Sequence, residues 1–400
     1  MLSKKVKIGF INLNSPLDRK ASSGTTFQMC QALKRIGADI VWLQPKHNFL
    51  YKLVNLFFKV LAVSTHIRIL RAHIIPLAKI ESKSLKKQDI EKCDILFAPF
   101  ASTSLYSLKT EKPIIYLSDA TFAVMVDYYF KGIANWNIKQ ANKIEKNALS
   151  KATTVILSSE WAKQSAQYDY DIPKSKIHVL EFGANIDEED LIPHKFEYHN
   201  HLHILFLGVD WIRKGGDIAV EATRYLNDNG IPTTLHIAGI RNLDNNIATL
   251  PYVNNYGFLN KNNPDDYNQL VSIIQQSHCL LLPTKAECSA IAFSESSANG
   301  IPIFTYNTGG VSNYVENGKN GYMLPIGSSG QEFGKKIHAC LQSGELEKMS
   351  KTAVDVYQEK LNWTVWGRKL ENIINTIVEQ KTNDNINKKN NQTYSTFLKN

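Results

Sequence analysis

Two carboxylates, Glu287 and Glu295, flank seven residues in the segment Glu287-Cys-Ser-Ala-Ile-Ala-Phe-Ser-Glu295. The apolar run Leu280–Pro283 before them reads as a strand, and Gly300-Ile-Pro302 after them stops a helix. A helix starting near Ser289 or Ala290 leaves Glu287 in the loop at its entrance. It puts Glu295 one turn after Ile291, on the same side. The N–H groups of Ile291 and Ala292 then fall in the first turn, where they lack intrahelical acceptors and suit a phosphate. A carboxylate beside an anion site is repulsive unless it serves another partner. Its two oxygens match a vicinal diol, so Glu287 is placed to grip a hexose and Glu295 a ribose. An isolated helical glutamate is ordinarily a solvated surface residue. Glu295 instead shares its face with Ile291 and Ala298 and is surrounded by Ser294, Ser296 and Ser297, which permit close packing.

A second constellation is Phe206-Leu-Gly208-Val-Asp-Trp-Ile-Arg213-Lys214-Gly215-Gly216-Asp217. It reads as a strand, a glycine turn, two adjacent cations and a helix start. Arg213 and Lys214 at a strand exit can neutralise a diphosphate and stabilise it as it leaves; exposed loop cations are the plainer reading. A third element, Asn307-Thr308-Gly309-Gly310-Val311, follows a strand. It either admits close backbone approach to a ligand or is a simple tight turn. Asp169-Tyr-Asp171 matches a metal-binding D-x-D pattern, but it follows a helix and precedes Ile-Pro, so it reads as helix-end polarity. His278 and His338 stand alone and read as structural, and no metal site is expected.

These residues need a scaffold of short strands alternating with helices. Lys7–Asn12, Asp39–Leu43, Ile95–Ala98, Ile114–Leu117 and Thr154–Leu157 read as strands of one half. Ile204–Leu207, Thr234–Ala238, Leu280–Pro283 and Ile301–Thr305 repeat the pattern in a second half. The alternation predicts an α/β protein of two successive doubly wound parallel halves, joined near Asn185–Asn200, with ligands outside the carboxyl ends of the strands.

At 400 residues with 43% hydrophobic and 21% charged, the chain is globular and long enough for two domains. No apolar run is long enough for a membrane span, and the start does not read as a secretion signal. The five cysteines are scattered without a C-x-x-C pair, which favours a reducing compartment and argues against structural zinc. The net charge of +9 lies wholly in residues 1–200, which hold 28 basic and 19 acidic residues; residues 201–400 hold 18 of each. Val41–Ile80 contains Lys46, Lys52, Lys59, Arg68, Arg71 and Lys79 and no acid. Phe49, Leu50, Leu53, Val54, Phe57, Phe58 and Leu61 are interleaved at spacings that gather most of them on one helical face. Such a helix either faces the core with solvated lysines or lies on an anionic membrane surface. No nucleic-acid motif accompanies the charge, and nucleic acid is not expected as a partner.

Taken together, Glu-x7-Glu after Leu-Pro-Thr, Ala-Asn-Gly-Ile-Pro-Ile, Thr-Gly-Gly-Val and Asn-Gly-Lys-Asn-Gly-Tyr resemble the retaining, nucleotide-sugar-dependent glycosyltransferases of family four. Weaker upstream matches are Glu145-Lys-Asn-Ala-Leu, Val155-Ile-Leu-Ser158-Ser-Glu160-Trp and Gly183-Ala-Asn-Ile-Asp187, and the resemblance runs to about Val378. It implies the GT-B fold, two Rossmann-like domains facing across a cleft. The expected division is 1–190 for the acceptor, 195–360 for the nucleotide sugar, 361–380 as a helix crossing back, and 381–400 as a disordered Asn- and Lys-rich tail. It implies that Glu287 and Glu295 hold the donor's sugar and ribose, that Lys214 holds the diphosphate with the Ile291 and Ala292 amides, and that Gly24 brings backbone N–H groups to the donor phosphate. Two positions depart from the family. Val209 stands where an Arg is usual; either Arg213, next to Lys214, supplies the second cation in its place or that cation is missing. No His follows the Ile114–Leu117 strand, and Asp119 is expected near the reacting sugar or acceptor.

The resemblance implies retaining hexosyl transfer, without metal or cofactor, from a nucleotide-sugar donor to a glycan or lipid-linked acceptor. The setting implied is cell-surface polysaccharide or lipopolysaccharide synthesis in the cytoplasm or at the cytoplasmic membrane face. Two alternatives are a nucleotide-sugar epimerase of the same fold and a non-catalytic sugar-nucleotide-binding protein, the latter motivated by Val209 and the missing His.

Overall fold

Short apolar runs of the first half form β1 (Lys7–Ile11), β2 (Asp39–Leu43), β3 (Ile95–Pro99), β4 (Ile114–Ser118), β5 (Thr154–Leu157) and β6 (Ile177–Val179). Those of the second half form β7 (Leu202–Leu207), β8 (Thr233–Ala238), β9 (Val253–Asn255), β10 (Cys279–Leu281), β11 (Ile303–Tyr306) and β12 (Gly321–Leu324). The computed structural model describes residues 2–19, 24–191, 193 and 196–397, the side chains of 188 and 382–397 excepted. β3, β4 and β5 are buried along their whole length, as central strands of a sheet covered on both faces must be.

All strand pairs are parallel, in two six-stranded sheets ordered β2-β1-β3-β4-β5-β6 and β12-β11-β10-β7-β8-β9. Renumbered within its half, the second order is the Rossmann 3-2-1-4-5-6. Its direction reverses between β7 and β10, and a doubly wound sheet opens its ligand crevice at such a point. The residues leaving β7 (Gly208–Lys214) and β10 (Leu282–Glu287) therefore meet at the crevice. The α/β architecture of two doubly wound halves is the one expected.

Helix α1 (Thr25–Arg35) packs Met29 and Leu33 against one face of the first sheet. The same apolar cluster contains Trp363, Trp366, Leu370, Ile373, Ile374 and Ile377. These belong to the Trp363–Phe397 helix, which leaves the second half and crosses back to the first. That helix extends past the expected end near residue 380 and takes in residues 381–397, read from sequence as a disordered tail. The segment contains no Pro or Gly after Gly367 to stop it. Residues 398–400 lie outside the described residues.

Helix α2 (Phe49–Thr65) corrects one reading. It does not turn its main apolar face to the core: Tyr51 is its one buried residue, while Phe49, Leu50, Leu53, Leu56, Phe57, Val60 and Val63 are exposed. It rests through Tyr51, Val54 and Phe58 on Ile74 and Leu77, the latter in α3 (Ile75–Lys83). No described helix is long and apolar enough to cross a membrane. All five cysteines are buried and free of disulfides.

Candidate functional site

Lys214 ends the single helical turn Trp211–Lys214, which the Asp210 side chain caps by accepting from the Arg213 N–H. Gly215 follows with φ of 74°, a left-handed conformation that glycine adopts without strain. A side chain at Gly215 would collide with the Pro283 carbonyl, so glycine lets the β7 exit lie against the β10 exit. The Lys285 N–H donates to the Arg213 carbonyl across this contact at 2.8 Å. Lys214 Nζ forms an ion pair with Glu287 Oε2, and the two residues are only 9% and 6% exposed. Arg213 lies 3.7 Å from the same oxygen and donates to the Ala286 carbonyl at 3.0 Å. The two cations and the first carboxylate singled out from sequence are thus brought together.

Two residues from the first half complete this group, and sequence reasoning did not find them. The Tyr128 hydroxyl accepts from the Glu287 N–H at 2.7 Å and lies 2.8 Å from Thr308 Oγ1. Tyr129 Oη accepts from Arg213 at 3.1 Å, donates to the Ala286 carbonyl at 3.1 Å, and lies 3.5 Å from Glu287 Oε1. Burial, then the Glu287 charge, push the Tyr129 hydroxyl far above its ordinary pKa, so it stays protonated. Their only sequence signal was an aromatic pair in a loop. Gly309 and Gly310 serve the same loop: the Gly310 N–H donates to the Glu287 carbonyl at 3.0 Å, and a side chain at Gly309 would collide with that carbonyl and Tyr128. Their close approach is to protein backbone.

Asp119 follows the end of β4 and is half-buried. Desolvation by burial raises its carboxyl pKa to about 6, with the Glu287 charge acting in the same direction. The Asp119 backbone carbonyl accepts from the Ser158 hydroxyl at 3.0 Å, which fixes the turn after β4.

Glu295 occupies a different setting. It is 2% exposed, and its Oε1 lies 2.6 Å from Lys261 Nζ. Lys261 is 3.5 Å from the Asn185 carbonyl, and Asn185 Nδ2 donates to Thr25 Oγ1 at 3.0 Å. Gly24, with φ of 90°, caps α1 beside Asn185. Arg19, Gly24, Gln28, Asn185, Lys261 and Tyr267 line one small cavity here. Gly24 and Glu295 thus approach each other through Lys261, a loop lysine that no motif marks. Ser22 and Ser23, the rest of the expected Gly24 loop, lie outside the described residues.

The Ile291–Ala298 helix starts directly after Ala290. Ile291 packs against the first-half core and Ala292 against the second-half core, so the first turn sits on the seam between them. Ser294 donates to the Phe182 carbonyl at 2.8 Å across that seam, and Ser296 and Ser297 are buried. Val209 and Ile212 are 68% and 71% exposed on the turn after β7. Asp169 accepts from Ser165 while Asp171 pairs with Lys146 at 2.9 Å. His278 Nδ1 accepts from the His203 N–H at 2.9 Å, a backbone tie.

Residues 187–355 match the family model described as glycosyl transferases group 1. A putative colanic acid biosynthesis glycosyltransferase of Salmonella typhimurium is 25% identical over 180 residues, 41% of this chain and 43% of that protein. The alpha-D-kanosaminyltransferase of Streptomyces kanamyceticus is 21% identical over 249 residues, 58% of this chain and 63% of that protein. The chain thus spans less than two thirds of the length of either relative. The crystal structure of Anabaena HepE in complex with UDP and glucose superimposes with a TM-score of 0.63 at 15% identity, covering 93% of this chain and 100% of that one. The chain accordingly has the GT-B fold, and most of its second half, residues 187–355, matches the glycosyl transferases group 1 model.

Proposed function

We propose that the protein transfers a hexosyl group from a nucleotide-sugar donor to a glycan or lipid-linked acceptor, with retention at the anomeric carbon and without a metal. The observation that carries this reading is the buried Lys214–Glu287 pair, placed where the strand order of the second sheet reverses. The bond from the anomeric carbon to the diphosphate breaks while the acceptor oxygen attaches on the same face. The acceptor's proton passes to the departing phosphate oxygen. Arg213 and Lys214 stabilise the charge that develops there, and Glu287 accepts hydrogen bonds from the sugar hydroxyls. The Ile291 and Ala292 amides take diphosphate oxygens, Glu295 the ribose, and Gly24 backs the donor from the first domain. Asp119 faces the reacting sugar or the acceptor.

The relatives support this reading by name, one being assigned to colanic acid biosynthesis and one to kanosaminyl transfer. HepE binds UDP and glucose, which makes uridine diphosphate sugars the first donors to test. Cell-surface polysaccharide synthesis at the cytoplasmic membrane face is the setting proposed. A thermal-shift screen of nucleotide sugars selects the donor, since a ligand of the native state raises its melting point. Product analysis by NMR then follows, with and without a chelator. A glycoside of the donor's own anomeric configuration, formed equally with chelator, is expected. An inverted linkage, an epimerised free nucleotide sugar, or binding without turnover would overturn the proposal.

A further inference from the structure

The outward face of α2 has an unusual distribution of residues. At about 100° per residue, Phe49, Leu50, Leu53, Leu56, Phe57, Val60 and Val63 fall within a sector of about 140° on the helical wheel. Each is at least 52% exposed, and Phe49 reaches 80%. The opposite side, with Tyr51 and Phe58, holds the helix to the domain. Lys52 and Lys59 border the apolar sector on one side and are exposed. The helix spans about 25 Å, which exceeds what scattered surface apolar residues account for.

We propose that this face enters the headgroup region of an anionic lipid bilayer and holds the enzyme flat against it. Three observations favour lipid over other occupants. The surrounding stretch, 41–80, carries six Lys or Arg and no Asp or Glu, which complements anionic headgroups. A second copy of the chain would bring the same lysines against them. A large apolar sector edged by lysines is also the pattern of helices that lie in the plane of a membrane. The surface is coupled to the site. Arg68, just past α2, donates to the Lys131 carbonyl at 2.6 Å and accepts from the Ala134 N–H at 3.1 Å. These contacts brace the loop that carries Tyr128 and Tyr129 to Glu287. The helix also begins six residues after the carboxyl end of β2, the end of a doubly wound sheet where ligands bind. The role assigned to the anchor, delivering a lipid-linked acceptor to the cleft, rests on the transfer reading; the anchoring itself does not.

The test uses the full chain with vesicles of phosphatidylglycerol and phosphatidylcholine, and with phosphatidylcholine alone. Cosedimentation is expected with the anionic vesicles. The exposed pair Leu53→Ser/Phe57→Ser should lose at least about tenfold in vesicle affinity. Lys52→Glu/Lys59→Glu should remove the preference for anionic lipid. Both variants should keep wild-type circular dichroism and donor hydrolysis. Equal vesicle binding by the serine variant overturns the proposal. So does a wild-type dimer that this variant dissociates in light scattering, which would assign the face to a second copy. Vesicle binding without donor turnover would leave the anchor standing and defeat the transfer reading alone.

Discussion

Glu287 and Glu295 are both buried and both paired with a lysine, yet their surroundings differ. Glu287 is shared among Lys214, Arg213 and Tyr129, which come from both domains. Glu295 has Lys261 as its ion-pair partner, on a loop beyond β9. On the proposed reading, a carboxylate set between two cations and a phenol from the opposite domain meets the transferred sugar at the reacting end of the donor. On the same reading, one tied to a single lysine beside Asn185 and Gly24 would hold the ribose, a neutral part of the ligand. The same residue type in one motif would thus be divided by environment into a reacting end and a holding end.

The largest effect expected is at Lys214. Lys214→Met should lower turnover by about 10³-fold, as loss of a positioned charge donor does. It should also cost about 3 kcal/mol of stability, because Glu287 stays buried with Arg213 as its remaining cation. Steady-state kinetics and urea unfolding check both; wild-type turnover would dissolve the distinction between the two ends.

A sharper comparison comes from calorimetric titration with the selected donor and with its nucleoside diphosphate alone. Glu287→Gln should weaken donor binding about tenfold and leave the diphosphate unaffected. Glu295→Gln should weaken both by the same factor, about 1.4 kcal/mol. The reverse pattern would exchange the two assignments.

The smallest effect concerns Asp119. Its native pKa of about 6 lies above the ordinary 3.8, so the native state holds its proton to higher pH than the unfolded state. The associated stability is fully present below pH 4 and is lost as pH rises towards 6. Asp119→Asn should therefore match wild type below pH 4 and exceed it by on the order of 2 kcal/mol at pH 7. Thermal melts across that range measure it; parallel curves would show that burial does not hold the Asp119 proton in the native state.

The parts legible in the sequence share a property: they are local. The strand at Asp39–Leu43 and the one at Thr154–Leu157 are read with their observed bounds, because apolar runs and turn residues are short-range signals. The Lys214 and Glu287 turns are legible for the same reason. Tyr128, Tyr129 and Lys261 are not, since each reaches the site only through tertiary contact across the seam or around a loop. The short strands Val253–Asn255 and Gly321–Leu324 also escape: the first has three residues and one apolar side chain, and the second has four residues opened by a glycine within a run of Asn and Gly that reads as a turn. The orientation of α2 is illegible in principle: spacing reveals that a helix has an apolar face, but not which way it points.

The helix that crosses back from the second half gives the chain an order of assembly. Met29 and Leu33 share their apolar cluster with Trp366, Leu370 and Ile374, residues made more than three hundred positions later. During synthesis the first lobe waits, partly uncovered, until the second has been translated. A chain cut short before residue 363 therefore leaves a greasy flank open to aggregation and to proteases, even with its entire first sheet intact.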